Sequence, residues 1–116
     1  MSIPFWYDDR MTGENEIAEV ARVLSDPIRL RILDLLKEGR DSECEAPPYW
    51  SLPKAICPAD LQRKLEDVSG SKLSYHLREL RQTGLIQGYR EGKRIYYAPV
   101  IDKMNEFLKM VNSRYL

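Results

Sequence analysis

Six basic residues lie between positions 71 and 97 of this 116-residue chain, and such ammonium and guanidinium groups bind phosphate. The segment has only two acidic residues and carries a net charge of +4, whereas the whole chain sums to zero. Positive charge gathered on one segment of a neutral chain is typical of a surface that binds nucleic acid. The basic residues are Lys72, Arg78, Arg81, Arg90, Lys93 and Arg94.

The chain has two cysteines, and both are candidates for redox chemistry. Cys57 precedes a proline that suits the first position of a helix, and a helix N-terminus favours the thiolate, although Asp60 opposes this effect. Cys44 lies in a long loop that can approach Cys57, so the pair is a candidate thiol switch through a disulfide or a two-thiol site. The alternative, which we prefer, is two unrelated thiols, since reactivity requires exposure.

His76 is the only histidine, and it lies three residues from Leu73 and four from Leu80, at the border of an apolar stripe. A buried structural histidine is therefore preferred to a metal ligand or an acid-base group. The sequence shows no Ser/Cys–His pair with evident spacing, no glycine-rich phosphate loop and no cluster of paired carboxylates. We therefore expect no catalytic site, no metal site and no cofactor.

The basic residues must be positioned by one helix and one hairpin. Leu73, Leu77 and Leu80 recur at steps of four and three, which predicts a buried helical face, and Gly84 is placed to end that helix. The residues that follow, 85–90 and 94–98, predict two short strands joined by a glycine-containing loop.

A shorter helix is predicted just before the basic one, over residues 58–65. The turn at 66–70 is tight, and Ser69 or Ser71 caps the second helix. Two short helices joined by a tight turn, the second of them basic, predict a helix-turn-helix. With the hairpin added, the prediction is a mainly α fold with a β-hairpin wing, the winged helix-turn-helix.

The residues predicted to contact DNA fall into two groups. One group lies off the leucine stripe, on the outer surface of the basic helix and near the half that enters the major groove in helix-turn-helix proteins. The other lies at the hairpin tip, from which side chains reach the DNA backbone or the minor groove. A solvated charged face is the alternative for both. The candidates are Ser71, Lys72, Ser74, Tyr75 and Arg78 on the helix, and Arg90, Lys93 and Arg94 on the hairpin.

Three further helices are predicted from apolar periodicity, over residues 16–24, 28–37 and 101–116. The middle helix is apolar enough to be central to the core, with Arg29 and Arg31 on its remaining face. The last helix has a wide apolar stripe and, together with the first, is the candidate seam of a homodimer. The alternative is that it covers the core of a monomer.

The remaining segments are an N-terminal arm over residues 1–14 and a long loop over residues 40–56. The arm is too aromatic for a free tail and is expected to cover the core or a second subunit. The loop contains several prolines and is expected to stand out from the domain, with Tyr49 and Trp50 able to anchor it. All of these segments are expected to belong to one domain over residues 1–116.

Composition and hydropathy indicate the cellular compartment in which the protein is expected to act. No apolar run approaches the length of a membrane span, and the first residues lack the pattern of a signal peptide. Two cysteines in such a chain favour a reducing compartment. We therefore expect a cytoplasmic protein without a membrane partner.

The chain resembles the ArsR-type bacterial transcriptional repressors, which respond to arsenic and metals. The matching runs are VLSDPIRLRILDLL, ICPADL, SGSKLSYHLRELRQTGLI and YREGKRIYY, and they span most of residues 20–100. The resemblance implies a dimeric winged helix-turn-helix that occupies a palindromic operator and is released by an effector.

The chain departs from that family at its metal-binding positions. Many members carry Cys-x-Cys at the start of the first motif helix, where this chain keeps Cys57 but has Ala59. Others use histidines on the last helix, which here has Asp102 and Glu106 but no histidine. We expect a repressor that binds double-stranded DNA as a homodimer, with the effector unknown. The alternative is a winged helix that binds other proteins instead of DNA.

Overall fold

The structure, a computed structural model, describes the backbone from Asp9 to Leu116 and the side chains from Gly13 onward. The aromatic residues of the expected arm, at positions 5–7, lie outside this range. Within the described residues, five helices and one antiparallel two-stranded sheet confirm the mainly helical fold with a β-hairpin. The elements are α1 (Asp9–Leu24), α2 (Pro27–Glu38), α3 (Pro58–Lys64), α4 (Gly70–Gln82), β1 (Ile86–Glu91), β2 (Arg94–Pro99) and α5 (Ile101–Tyr115).

Helix α1 begins at Asp9, well before the predicted start at residue 16, so residues 9–14 of the expected arm are helical. Its early part runs beside α5, where the carboxylate of Glu14 lies 3.8 Å from the guanidinium of Arg114. The longer first helix thus packs against α5. Apolar periodicity does not show such a contact, so the earlier start was not predicted.

Helix α2 begins where predicted because the Asp26 carboxylate accepts hydrogen bonds from the N–H groups of Ile28 and Arg29, at 2.8 and 3.4 Å. Pro27 occupies the first turn, and Gly39 ends the helix with a φ of 82°. Arg29, expected on the face that the apolar residues of this helix leave free, is nevertheless buried and only 5% exposed. Its guanidinium donates a hydrogen bond to His76 on α4.

Helices α3 and α4 form the predicted helix-turn-helix. Cys57 is the N-cap residue of α3, but its thiol makes no capping hydrogen bond. The hydroxyl of Ser69 caps α4 by accepting from the N–H of Lys72 at 3.2 Å. Between the helices, the Gln62 amide donates to the carbonyl of Val68. One local cap and one side-chain bond therefore fix the place where α4 begins.

Strands β1 and β2 form the hairpin that is called the wing below. Gly92 is the first of two loop residues and has a φ of 61°, as a type II′ hairpin turn requires. The pairing places Tyr89 opposite Tyr96 and Gly88 opposite Tyr97, so the two pairs occupy opposite faces of the wing. The Tyr97 face packs on the main core, and the Tyr96 face packs on residues of the long loop.

The loop over residues 40–56 packs on the wing instead of standing out from the domain, so that expectation is wrong. Ile56 and Tyr97 exchange two backbone hydrogen bonds, at 3.0 and 2.8 Å, which attach the end of the loop to β2. The hydroxyl of Tyr96 also donates to the carbonyl of Pro47 at 2.7 Å. Satisfied backbone groups and buried side chains thus make this loop part of the fold.

The core lies among α1, α2, α3, α4 and the wing, and α5 closes one side of it. Every residue of α5 is described, and none of them is fully buried. Its apolar stripe is split, because Met104 and Phe107 pack against the core whereas Ile101 and Leu108 are 57% and 55% exposed. None of the helices in the described range is long and apolar enough to cross a membrane.

Candidate nucleic-acid interface

Helix α4 divides its apolar and polar side chains between two faces. Leu73, Leu77 and Leu80 are buried in the main core. All five residues predicted to contact DNA from this helix are exposed on the other face. That face offers hydroxyl, ammonium and guanidinium groups, which suit phosphate oxygens and base edges. The five residues are Ser71, Lys72, Ser74, Tyr75 and Arg78.

The three predicted contacts of the wing are exposed as well. Arg90 lies near the end of β1, Lys93 belongs to the turn, and Arg94 opens β2 opposite Glu91. Helix α4 packs beside β1, so the basic helix and the basic hairpin adjoin. The structure therefore gathers the eight candidates on two neighbouring elements, and their contact with DNA stays a prediction.

Tyr75 links the exposed face of α4 to the residues beneath it. Tyr75 is 44% exposed, and its hydroxyl donates to Glu79 at 3.3 Å. The guanidinium of Arg78 lies 5.9 Å from the ring centroid, and that of the buried Arg29 lies 5.6 Å from it. The ring thus makes cation–π contacts with both a surface arginine and a buried one.

A buried arginine–histidine hydrogen bond joins α2 to α4, and the sequence did not predict it. Nε of Arg29 donates to Nδ1 of His76 at 3.0 Å, and the two residues are only 5% and 6% exposed. Because Nδ1 accepts, the imidazole is neutral and carries its proton on Nε2. The same guanidinium donates to the carbonyl of Val23 in α1 at 3.4 Å. His76 is therefore the buried structural histidine that its position predicts.

Glu79 extends this network to the surface. Arg22 of α1 donates to its carboxylate at 3.1 Å, and the Arg29 guanidinium lies 3.9 Å away. The hydrogen bond from Arg22 is the main reason that the pKa of Glu79 lies below its ordinary value. Two arginines therefore neutralise the only acid on α4, which leaves the outer surface of the helix basic.

Burial holds the pKa of His76 below its ordinary value, and the nearby cations Arg29 and Lys72 act in the same direction. Asp26 and Glu79 oppose the shift without reversing it. Protonation would turn the accepting nitrogen into a donor that faces the Arg29 guanidinium. The hydrogen bond that joins α4 to α2 therefore depends on a neutral imidazole.

The two candidate switch thiols are both buried, and neither forms a disulfide. Cys44 belongs to the main core, with its sulfur 3.8 Å from a carboxylate oxygen of Asp41. Cys57 belongs to the smaller cluster under the loop, and its thiol donates to Asp60 at 3.4 Å. The thiol switch stays a prediction, and burial favours two unrelated thiols. Among the side chains from position 13 onward, no group of three or more His, Cys, Asp or Glu is placed to hold a metal ion.

Asp60 is a buried carboxylate that ties the long loop to α3, and it was not predicted either. It is 2% exposed, accepts from the N–H groups of Glu45 and Ala46 at 2.9 and 3.4 Å, and pairs with Arg63. Burial alone would raise the pKa of Asp60, but the two backbone N–H groups and the Cys57 thiol lower it overall. The ionised carboxylate therefore organises the path of the loop.

The chain is similar to known transcriptional repressors. It is 29% identical to the transcriptional repressor SdpR of Bacillus subtilis over 98 residues, which cover 81% of this chain and 91% of that protein. It is also 29% identical to the arsenical resistance operon repressor of Staphylococcus xylosus over 101 residues, covering 84% and 82%. Both relatives are regulators rather than enzymes, and they confirm the resemblance to the ArsR-type repressors. No protein-family model matches the chain.

Solved structures confirm the fold. A homodimeric winged helix-turn-helix DNA-binding domain from Mycobacterium bovis, described as a possible ArsR-family regulator, has a TM-score of 0.66 and 23% identity. The match covers 98% of this chain and 94% of that domain. At this identity the likeness establishes the fold alone: α3 and α4 are the helix-turn-helix, and the hairpin is its wing.

Proposed function

We propose that this chain, a winged helix-turn-helix protein similar to the ArsR-type repressors, is a sequence-specific DNA-binding regulator that represses transcription. Helix α4, called the recognition helix from here on, would enter the major groove with its N-terminal half. The wing would contact the backbone or the minor groove beside it. Because its partner would be chromosomal DNA, the protein would act in the cytoplasm.

One observation carries this proposal: the recognition helix exposes all five of its residues predicted to contact DNA and buries its leucines. A merely solvated face would not require that the single acid of the helix, Glu79, be neutralised by Arg22 of α1 and Arg29 of α2. With that charge neutralised, Lys72 and Arg78 determine the sign of the outer surface. Such a surface attracts phosphate along the whole helix.

The protein would act as a homodimer through α1 and α5. These helices pack together, and α5 keeps much of its apolar stripe exposed. Leu30, Ile101 and Leu108 are all exposed and line an apolar groove of about 450 Å³ between α2 and α5. A second subunit would cover this surface. The dimer would place two recognition helices about 34 Å apart, so its operator would be an inverted repeat.

Release from the operator would require an effector that favours another arrangement of the two recognition helices. The thiols Cys44 and Cys57 are one candidate trigger, because Cys57 is the N-cap residue of α3, but their burial in two different clusters favours two unrelated thiols. Oxidation would require local opening, because both thiols are buried. A soft-metal effector is not proposed, since the family's second cysteine position is Ala59 here.

Selection from a random-sequence duplex library tests the proposed function. The full chain is incubated with the library, and the bound duplexes are amplified and sequenced. We expect enrichment of an inverted repeat whose half-site centres lie about 10 base pairs, or a multiple of that, apart. If no sequence is enriched and the folded protein binds no duplex at low salt, it is a protein-binding winged helix and the proposal is refuted.

Matched variants locate the interface on the molecule. Lys72→Ala and Arg78→Ala remove exposed cations from the recognition helix and should each weaken binding to the selected duplex by about 1 kcal/mol or more. Lys109→Ala removes an exposed cation from α5 and should leave the affinity within the experimental error. Equal losses for all three variants would contradict the assignment of the interface to α4.

A further inference from the structure

We infer that the tip of the long loop, residues 49–52, is a third DNA-contacting element, in which Trp50 touches the duplex beside the wing. The inference rests on the proposed function and adds a surface to it that neither the recognition helix nor the wing supplies. The ligand that fits this surface is the sugar–phosphate backbone of double-stranded DNA, next to the segment that the wing contacts.

Tyrosine stacking fixes the loop tip against the wing. The ring centroid of Tyr49 lies 5.8 Å from that of Tyr89 and 5.7 Å from that of Tyr96, with interplanar angles of 28° and 25°. Just before the tip, the carbonyl of Pro47 accepts the hydrogen bond from the Tyr96 hydroxyl. Offset stacking of this geometry is favourable for aromatic pairs. The tip is therefore held at one position beside β1.

The backbone of the tip is a tight turn that presents Trp50 to solvent. Leu52 donates to the carbonyl of Tyr49 at 3.1 Å and pairs with it as an isolated bridge, so Trp50 and Ser51 are the two central residues. The indole contacts Tyr49 at 6.5 Å between centroids, yet Trp50 remains 77% exposed. Tryptophan is enriched at binding surfaces because it combines a large rigid ring with one N–H donor.

The acidic residues of the loop are held away from its tip. All three acids of the loop lie in its first half, and each pairs with a cation on α3. Residues 46–54, which include the tip, contain no acid and one cation, Lys54. The tip can therefore approach phosphate groups without charge repulsion. The pairs are Asp41 and Glu43 with Lys64, and Glu45 with Arg63.

The tip is continuous with a surface already proposed to bind DNA. Tyr89, which supports it, is followed by Arg90, and Arg94 lies on the same wing face as Tyr89, paired across the strands with Glu91. If a wing cation binds one phosphate, the neighbouring backbone comes within reach of this face. There the Trp50 indole N–H can donate to a phosphate oxygen, and the ring can pack on a deoxyribose.

Tryptophan fluorescence tests the contact directly, because the chain has two tryptophans and one can be replaced. In a Trp6→Phe parent, Trp50 is the only tryptophan. The full chain is titrated with the selected duplex in two lengths, one trimmed to the inverted repeat and one extended by about 10 base pairs, one helical turn, at each end. We expect the emission of Trp50 to change on binding the extended duplex and to stay constant on binding the trimmed one.

A Trp50→Ala variant of the same parent measures the size of the contact. It should bind the extended duplex at least about tenfold more weakly, the loss expected for one hydrogen bond to a charged acceptor, and bind the trimmed duplex as the parent does. Ser51→Ala, at the neighbouring exposed position, is the matched control and should bind both duplexes as the parent does. Because Trp50 is mostly exposed, its truncation should leave the fold unchanged, which circular dichroism checks.

Either of two results overturns the inference: unchanged Trp50 emission on binding the extended duplex, or equal affinity of Trp50→Ala and the parent for the extended duplex. Both results leave the proposed DNA binding by the recognition helix intact. An emission change that follows protein concentration without DNA identifies a second copy of the chain as the occupant and also overturns it. Failure of the parent to bind any duplex is a different result, since it refutes the proposed function itself.

Discussion

Replacing Arg29 with methionine should strongly destabilise the protein and loosen the recognition helix. The change removes the 3.0 Å hydrogen bond to His76 and the 3.4 Å hydrogen bond to the Val23 carbonyl, while methionine keeps much of the aliphatic packing. The buried nitrogen of His76 then lacks its donor, which costs about 1–3 kcal/mol. Adding about 1 kcal/mol for the second hydrogen bond gives a loss of roughly 2–4 kcal/mol.

A loss of that size is a large part of the stability of a small domain, which is about 5–15 kcal/mol. Urea unfolding of the full chain measures it, with the midpoint expected to fall and the slope to stay unchanged. Arg31→Met is the matched control, because Arg31 lies two residues away on α2 and pairs with Asp67 at the surface, at 2.9 Å. An exposed pair contributes at most about 1 kcal/mol, so the control should lose much less stability than Arg29→Met.

Function should follow the same order at a temperature where both variants are folded. Arg29→Met should bind the selected duplex more weakly than Arg31→Met, because only Arg29 supports His76 and Tyr75 on the recognition helix. Two results would refute this reasoning: equal urea midpoints for the two variants, or a loss of stability below about 0.5 kcal/mol for Arg29→Met. Such a small loss lies outside the range expected when a buried hydrogen-bond partner is removed.

Three further predictions concern other sites. Stability should fall as the pH falls below about 6.5, because the pKa of His76 is lowered in the fold and the unfolded chain takes up the proton first. His76→Asn should reduce this pH dependence, measured as urea midpoints from about pH 7.5 to 5. An equal change of the midpoint with pH in both proteins would contradict the prediction. Gly88→Ala should lower the free energy of unfolding by about 1–3 kcal/mol, because a methyl group there would lie 2.8 Å from Ile95. Gly13→Ala, in open space, should raise it by up to about 1 kcal/mol. The opposite order of melting temperatures would contradict this prediction. Because both thiols are buried and are expected to be unrelated, Cys57→Ser should leave the response of operator binding to an oxidant unchanged. A response that is lost in this variant, measured by a binding titration, would contradict this and establish the switch.

Features set by neighbours in the chain were predictable from the sequence. Asp26 and Ser69 cap helices through side chains that bond N–H groups two or three residues away, so type and position alone identify them. Gly84 adopts a φ of 80° at the end of α4 for a similarly local reason. The leucine stripe of α4 also reports its own burial, because a helix has a fixed period.

Features that depend on distant partners were not predictable in the same way. Arg29 is buried because His76, 47 positions further along, supplies an acceptor, and no local pattern announces such a pair. The loop packs on the wing because Tyr49 meets Tyr89 and Tyr96, which periodicity does not pair in advance. For the candidate interface, the helical period predicted the exposed face, whereas the neutralisation of Glu79 from another helix required the structure.

The salt dependence of duplex binding tests the central claim most directly. The logarithm of the association constant should fall linearly with the logarithm of salt concentration for the full chain. The slope should shrink by about one for each of Lys72→Ala and Arg78→Ala if these side chains contact phosphates, with Lys109→Ala unchanged as the control on α5. Salt-independent binding, or a slope that neither recognition-helix variant alters, would contradict an electrostatic contact between α4 and DNA.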